Sequence, residues 1–482
     1  MKGSMSYWVT LIVIVWMNVT LKKTKGVQSI KNQLSQFVEE KEVGGTKWAL
    51  LVAGSNGYAN YRHQADICHA YQILKKGGLK DENIIVMMYN DIAYNEENPM
   101  PGIIYNNPNG PDVYFGVPHD FTYINVNANN FYAVLSGNKS ALTGVDHVKV
   151  LNTKSNDTIF IYMSGHGSEG FFAMPDSGQI WGDDLVNALK KKHDALAYKK
   201  MVIYIESCYS GSMFEGILPN NINIYATTAS NAHEDSYGFY CPDYSSNSPP
   251  FFTTCLGDLY SISWMEDSDK SNRTNETLHQ QYLNVRNRTA KSDPEAMSHV
   301  MVYGDLVLGN DSLATYLGVG PDGGNDNYNF NTSSSHEYSY QQFNMTTRLV
   351  SQKDVSLLHL KLKMEKAPDG SKDKLKAQIE LDVEIAHRKN VDRNVHFIWD
   401  LMFGEDTNST MMTRIRSASQ PVIDDWDCLK MILKTYEHHC GILSPYGMKY
   451  SRAFINVCNA GISEKQIIDA TSQACPKKNN FS

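Results

Sequence analysis

The sequence predicts an open, mostly parallel α/β sheet flanked by helices, followed by an all-helical C-terminal region. Three observations carry that expectation. Between Lys47 and about Gly309, short apolar runs rich in Val, Ile and Tyr alternate with amphipathic stretches. After residue 310 the chain turns to "GVGPDGGNDNYNFNTSSSHEYSYQQFNMTT", rich in Gly, Asn and Ser and without apolar periodicity, which reads as an exposed linker. From Arg348 onward the pattern is helical, and no internal repeat interrupts it.

The strand runs, in order, are "KWALLVA" (47–53), "NIIVMMY" (83–89), "TIFIYM" (158–163), "MVIYIE" (201–206) and "INIYATT" (222–228). They lack clean alternation, as strands buried on both faces do. Between them, "QADICHAYQILKKGG" sets Ile67, Ala70, Tyr71 and Leu74 on one helical face and stops at Gly77-Gly78. "GDDLVNALKKKHDAL" forms a similar helix with Asp183 and Asp184 near its N-terminus. In the tail, Leu357, Leu358, Leu360 and Leu362 mark one helix, "DGSKDKLKAQIELDVEIAHRK" a second, and Pro368-Asp369-Gly370 the break between them.

A chain of 482 residues exceeds one ordinary core and implies two or three domains. With 42% hydrophobic and 20% charged residues it is globular, and a net charge of −8 leaves no basic footprint for nucleic acid. The run from Tyr7 to Met17 is too short to span a bilayer and sits where a secretory h-region belongs. Residues 1–25 therefore read as a cleaved signal peptide, with a retained anchor as the alternative and no stable membrane insertion after cleavage. Asn138, Asn156, Asn272, Asn287 and Asn344 each open an N-x-[ST] sequon, consistent with secretory entry and a glycoprotein. An oxidising lumen also makes disulfides plausible.

Two strands end in reactive side chains. The run 158–163 leads into "SGHGSEG", which places His166 in a glycine-flanked turn, and 201–206 leads into "SCYSGS", which places Cys208 in another. Sheets of this type gather reactive groups at the carboxyl ends of their strands. If these strands are neighbours, a thiol and an imidazole converge as the parts of a cysteine nucleophile site. The small neighbours also free the N–H groups of Gly167 and Cys208 to hold a developing oxyanion. Taken singly, a His in a glycine turn is more often structural and a Cys after a strand is usually a buried small hydrophobe. No Cys/His set has zinc-ligand spacing, and no metal or cofactor is expected.

At these residues the chain resembles the legumain family, the asparaginyl endopeptidases or vacuolar processing enzymes, clan CD cysteine peptidases. "GTKWALLVAGSNGYANYRHQADICHAYQIL", "GGLKDENIIVMMY", "GSMFEGILPNNINIYATTASN" and "CLGDLYSISWMEDSD" are similar to the plant branch, and the likeness runs from about residue 44 to the end. It implies a caspase-like sheet followed by an all-α prodomain. It implies Cys208 as nucleophile, His166 as catalytic histidine and Asn60 as the third member. Arg62, His63, Glu206, Asp258 and Asp235 would line an S1 pocket for an asparagine side chain. A carboxamide offers both a donor and an acceptor, so a pocket with a cation and carboxylates satisfies each end. Cys208 would attack the carbonyl after Asn, His166 would assist the leaving amine, and water would resolve a thioester.

The chain departs from the family pattern in places. Gly165 stands where Asp usually precedes the histidine, Ser207 and Tyr209 replace Ala and Glu of "EACESGS", and Asp235 replaces a pocket serine. Gly238 resembles the hydrolytic members, and Ser168-Glu169 differ from the Ala-Pro or small residues of the peptide ligases. The expected function is therefore an Asn-specific endopeptidase, cutting less readily after Asp. A peptide asparaginyl ligase and a catalytically impaired peptide-binding homologue are the alternatives. The partners implied are proteins or peptides with an exposed Asn, and the chain's own prodomain. The location implied is the secretory route to a vacuole, or secretion.

Cys241 and Cys255 flank a short proline-rich loop that a disulfide could pin. The resemblance pairs Cys428 with Cys458 and Cys440 with Cys475, where the sequence alone permits three connectivities. Cys68 reads as a core thiol, which leaves Cys208 unpaired. The implied layout is signal peptide 1–25, N-terminal propeptide 26–44, peptidase domain 45–325, activation linker 326–350 and helical cap 351–482. Glu39 to Gly45 and Asn325-Asp326 are the candidate trimming points for self-activation. Residues 351–400 hold ten Lys or Arg plus His359, His387 and His396. They suggest a basic cap over an acidic cleft, released by acid, with Gln352 filling the S1 pocket as an asparagine mimic.

Overall fold

The expected strands form, and their residues alternate between two cores. The computed structural model describes residues 45–475 except 146–147, 176–177, 243–251, 293–297, 320–347, 405–410 and 416–420. The signal peptide, most of the N-terminal trimming region, Asn325-Asp326 and Asn344 lie outside the described residues.

In the first half, β1 (Lys47–Gly54), α1 (Tyr61–Lys76), β2 (Ile84–Met87), α2 (Ala128–Ser136) and β3 (Thr158–Gly165) lead into a small antiparallel sheet. That sheet is β4 (Gly167–Ser168), β5 (Phe171–Ala173) and β6 (Gln179–Trp181). There follow α3 (Gly182–Asp194), β7 (Lys200–Glu206), β8 (Ile224–Thr228), β9 (Tyr237–Cys241) and β10 (Gly257–Asp258). Then come α4 (Leu259–Lys270), α5 (Leu278–Ser292), β11 (Met301–Gly304) and α6 (Ala314–Leu317). The main sheet has six strands in the order β11-β8-β7-β3-β1-β2, parallel except for the edge strand β11. Ala49, Leu51, Phe160, Tyr162, Val202 and Tyr204 pack on one face, against α1, α4 and α5. Leu50, Val52, Ile159, Ile161, Ile203 and Ile205 pack on the other, against α2 and α3. Both faces being covered, the strands read as unbroken apolar runs.

Helix α1 carries the predicted apolar stripe but begins at Tyr61, earlier than its apolar pattern. It ends where Gly78 takes φ 86° and Leu79 N–H reaches Leu74 O at 3.1 Å. That is a left-handed glycine stop.

The C-terminal region differs from the expectation at its start. Arg348–Ser351 form a strand, β12, which pairs antiparallel with β9 in a three-stranded sheet with β10. β-Augmentation of an open edge overrides the local helical pattern here. Helices α7 (Val355–Lys366), α8 (Lys372–Phe403), α9 (Trp426–Cys440), α10 (Ser451–Asn459) and α11 (Glu464–Ala474) follow. The break at Pro368-Asp369-Gly370 separates α7 from α8. Disulfides join Cys241 to Cys255, Cys428 to Cys458 and Cys440 to Cys475. Cys68 and Cys208 are free and buried.

Candidate active site

Register brings the two reactive turns together. Ser164 of β3 lies opposite Glu206 of β7, so His166 and Cys208, each two residues further, leave the sheet side by side. On the other flank of β3, Gly54 of β1 lies opposite Gly165. The loop after β1 delivers the N-terminus of α1, with Asn60 at its cap, to the same edge. Glycine is required in this layer. A Cβ on Gly165 would come within 2.8 Å of Phe172 Cζ and 2.9 Å of Gly54 Cα. A Cβ on Gly167 would meet Cys208 O at 2.8 Å, so the backbone after His166 passes directly against the cysteine turn. Gly165, a departure from the family pattern, is thus matched to the aromatic ring of Phe172.

His166 Nε2 sits 2.8 Å from Asn60 Oδ1, and Asn60 Nδ2 donates to Asn56 O at 2.9 Å. The second bond fixes the amide with its oxygen toward the ring. Nε2 therefore carries the proton, leaving Nδ1 as the acceptor for a thiol proton. Burial, then the Arg62 guanidinium, holds His166 well below the ordinary imidazole range. Burial, then the carboxylate of Asp235, pushes the Cys208 thiol up. In this state the pair is a neutral thiol beside a neutral imidazole. Cys208 Sγ accepts from Ser236 N–H at 3.3 Å. Tyr209 adopts φ 56°, a left-handed conformation that is costly for a non-glycine residue, and its N–H donates to Glu234 O at 2.8 Å. The cysteine sits at the head of that tight turn.

Beside it is a fully buried polar pocket. Arg62 Nε donates to Asp258 Oδ1 at 3.0 Å. Glu206 Oε2 accepts from Ser261 N and Oγ at 3.1 and 3.0 Å. Ser55 Oγ lies 2.6 Å from His63 Nδ1. The pocket is occupied by the side chain of Gln352, which is 1% exposed. Its Nε2 donates to Glu206 Oε1 at 3.1 Å and to Ser236 Oγ at 2.8 Å, and its Oε1 lies 3.3 Å from His63 Nε2. Burial, and then the neighbouring Asp258, pushes the carboxyls of Glu206 and Asp66 up, and burial raises Asp258 against the pull of Arg62. Burial, then Arg62, keeps His63 neutral.

The helical region covers this edge. Val355, Leu358 and Leu362 pack on the Cys241–Cys255 disulfide. Ion pairs join cap lysines to carboxylates of the peptidase unit: Lys353 to Asp235 (2.5 Å), Lys363 to Glu97 (3.0 Å), and Lys430 to Asp183 and Asp184 (2.8 and 3.0 Å), while His359 Nε2 lies 3.3 Å from Glu97 Oε2. Arg452 pairs with Glu169. Residues 351–400 as a whole balance their ten Lys or Arg with nine Asp or Glu. The charge complementarity therefore lies in individual contacts and not in a basic surface.

Cys208, His166, Asn60, Gly167, Arg62, His63, Glu206, Asp258 and Gln352 thus gather at one place. Asp235 needs correction. Its carboxylate accepts from Ser351 Oγ at 2.9 Å and from Lys353 Nζ, on the rim, while the hydroxyl of Ser236 faces the carboxamide. Backbone direction decides between adjacent residues, and "HEDSYG" carries no signal of it. Ser261, Ser55 and Asp66 were likewise invisible in the sequence. Ser168, whose Oγ lies 2.6 Å from Ser451 Oγ, and Glu169 sit under α10 and the turn before it. Gly238 lies beneath α7, where a Cβ would meet Cys255 Sγ at 3.0 Å and Val355 Cγ2 at 3.2 Å.

Residues 47–319 match the peptidase C13 family and residues 379–475 the legumain prodomain. The chain is 52% identical over 431 residues to a vacuolar-processing enzyme of Citrus sinensis, covering 89% of this chain and 85% of that one. It is 50% identical over 450 residues to the vacuolar-processing enzyme of Vicia sativa, covering 92% and 90%. Against the vacuolar-processing enzyme delta-isozyme of Arabidopsis thaliana it is 48% identical over 436 residues, covering 90% and 91%.

Proposed function

Because the chain belongs to the peptidase C13 family, the legumain cysteine endopeptidases, we propose that it cleaves peptides after Asn, and less readily after Asp. We further propose that it is made as a zymogen closed by its own C-terminal helices. The observation that carries this reading is the carboxamide of Gln352, held at both ends in a buried pocket beside Cys208. A substrate asparagine presents the same donor and acceptor one methylene nearer the backbone. Its amide nitrogen would donate to Glu206 and Ser236, and its oxygen would accept from His63. Arg62 Nη2 and Asp258 Oδ2, both buried and without a hydrogen-bond partner, leave further donor and acceptor capacity. An aspartate would set a carboxylate against Glu206, which is tolerable only when one of the two is protonated.

With the pocket open, His166 Nδ1 takes the thiol proton and Cys208 attacks the carbonyl after Asn. The N–H groups of Gly167 and Cys208 hold the oxyanion, and the imidazolium protonates the departing amine. Water then hydrolyses the thioester. Asn60 positions the ring. The peptidase unit is assigned to 45–325, the linker to 326–350 and the cap to 351–482. The names of the relatives support protein processing in a vacuole, and the apolar run Tyr7 to Met17 supports entry by the secretory route.

The test is incubation of the acid-treated chain, and of Cys208→Ala, with an Asn-containing peptide plus an amine nucleophile, with products identified by mass. Hydrolysis after Asn that depends on Cys208 is the expected result. Joined product in place of hydrolysis would make the chain a ligase, and absence of any Cys208-dependent product would overturn both enzymatic readings.

A further inference from the structure

Up to Gln352 the segment that closes the site lies in it as an extended peptide substrate would, and it then turns into a short 3-10 helix, Gln352–Asp354. β12 runs antiparallel to β9, Gln352 N–H donates to Ser236 O at 3.1 Å, and the Gln352 side chain enters the pocket next to Cys208. With Gln352 in the position of the residue whose carbonyl is attacked, Ser351 precedes it and Lys353 follows it on the leaving-group side. Both side chains meet the same atom. Ser351 Oγ donates to Asp235 Oδ2 at 2.9 Å, and Lys353 Nζ reaches that oxygen at 2.5 Å. Asp235 is held there. Its side chain is 13% exposed, and Tyr209, directly after the cysteine, donates its backbone N–H to Glu234 O, the residue before Asp235, at 2.8 Å. A carboxylate fixed at this point, outside the carboxamide pocket, adds its charge to burial in raising the Cys208 thiol, and the steps described above give it no role as a proton donor or acceptor.

We infer that Asp235 forms an anionic subsite that selects a Lys or Arg immediately after the cleaved Asn, and that Lys353 occupies it in the closed chain. The inference rests on the endopeptidase reading and adds to it a substrate class: peptides carrying Asn followed by a basic residue. An Asn followed by an acidic residue would bring two carboxylates together and be disfavoured.

The experiment compares kcat/KM of the acid-treated full-length chain on four quenched peptides. These are identical except for Lys, Arg, Ala or Glu after a single Asn. Lys and Arg are expected to be cut about tenfold faster than Ala, the gain of one charge-assisted contact, with Glu slowest. The preference should weaken in high salt. In Asp235→Asn the Lys-to-Ala ratio should fall to within about twofold of unity, and in Asp235→Lys the Glu peptide should overtake the Lys peptide. Equal rates on Lys and Ala in the unaltered chain overturn the inference without need of any variant. So does a Lys preference that survives Asp235→Asn and disappears in Glu169→Gln, which would assign the subsite to Glu169. Failure to cut any of the four peptides would instead defeat the endopeptidase reading on which the inference stands.

Discussion

Replacing Gln352 by Ala should open the site without unfolding the chain. The side chain makes three polar contacts, with Glu206, Ser236 and His63, all inside a buried pocket. At about 0.5–1.5 kcal/mol net for each hydrogen bond, their loss costs the closed state roughly 2–4 kcal/mol, less what returning water restores. Even about 2 kcal/mol raises the open population about thirtyfold. The ion pairs of Lys353, Lys363, Lys430 and Arg452 and the apolar contact on the Cys241–Cys255 disulfide stay in place, so the fold should persist. Because an open-state reagent reads population when closing is fast, the assay is the rate of iodoacetamide labelling of Cys208 at pH 7, mapped by mass to separate it from Cys68. An increase of about thirtyfold with unchanged circular dichroism is expected. A labelling rate within about threefold of the unaltered chain would refute the idea that the carboxamide holds the site shut.

The layer around His166 gives a second test. Gly165→Asp should lower Tm by several degrees, since overpacking beside Phe172 and Gly54 costs about 1–3 kcal/mol. Phe172→Leu in the same chain should recover at least half the loss, and an unchanged Tm in the single variant would show that the layer has slack. A third concerns pH. His359, and then Lys363, draw the Glu97 carboxyl down to about 2 against its burial. A depressed carboxyl adds closing stability above the ordinary carboxylate range and loses it as pH falls through about 2. Glu97→Gln should therefore speed Cys208 labelling most at pH 6–7, by about five- to tenfold after solvent screening, and progressively less below pH 5. A gap that widens on acidification would reverse the sign and sink the assignment.

Much of the sheet was legible because both its faces are buried, which leaves continuous apolar runs with small residues at their ends. His166 and Cys208 could be read from those ends, since parallel neighbours deliver their carboxyl termini to one edge. Three features were not legible. β12 has the composition of a helix start, and only the unpaired edge of β9 makes it a strand. Asp235 and Ser236 are adjacent, so a one-residue difference in which side chain turns inward exchanges a rim carboxylate for a pocket hydroxyl. The cap's charge, counted along the chain, suggested a basic surface, yet its acidic residues cancel the count and the complementarity rests on a few cations placed by helix packing.

The direction of the pH response follows from which protons the closed state resists. Glu206 and Asp258 are pushed up by burial, so the closed state favours their protonated forms, and acid strengthens closure through them. Protonation of pocket carboxylates therefore cannot be what frees the cap. Glu97 acts in the opening direction, but its effect begins near the ordinary carboxylate range and completes only at about 2. His63 and His166 act earlier. Burial, Arg62 and, for His63, the neighbouring His166 ring keep both neutral, well below an ordinary value of 6.5. His63 carries Gln352 on its Nε2 and has Asp258 Oδ2 at 3.7 Å, so withdrawing the plug rehydrates it and permits its charge. The histidine contribution to closure is therefore expected to be fully present above about pH 6.5 and to be lost as pH falls through the lowered values of the closed state, with Glu97 contributing afterwards. If the proposed zymogen opens under mild acid, the opening is expected to be a histidine effect working against the carboxylates that define the pocket. On the proposed endopeptidase reading, a protonated Glu206 is also the form that accepts an aspartate, so cleavage after Asp is expected to gain on cleavage after Asn as pH falls.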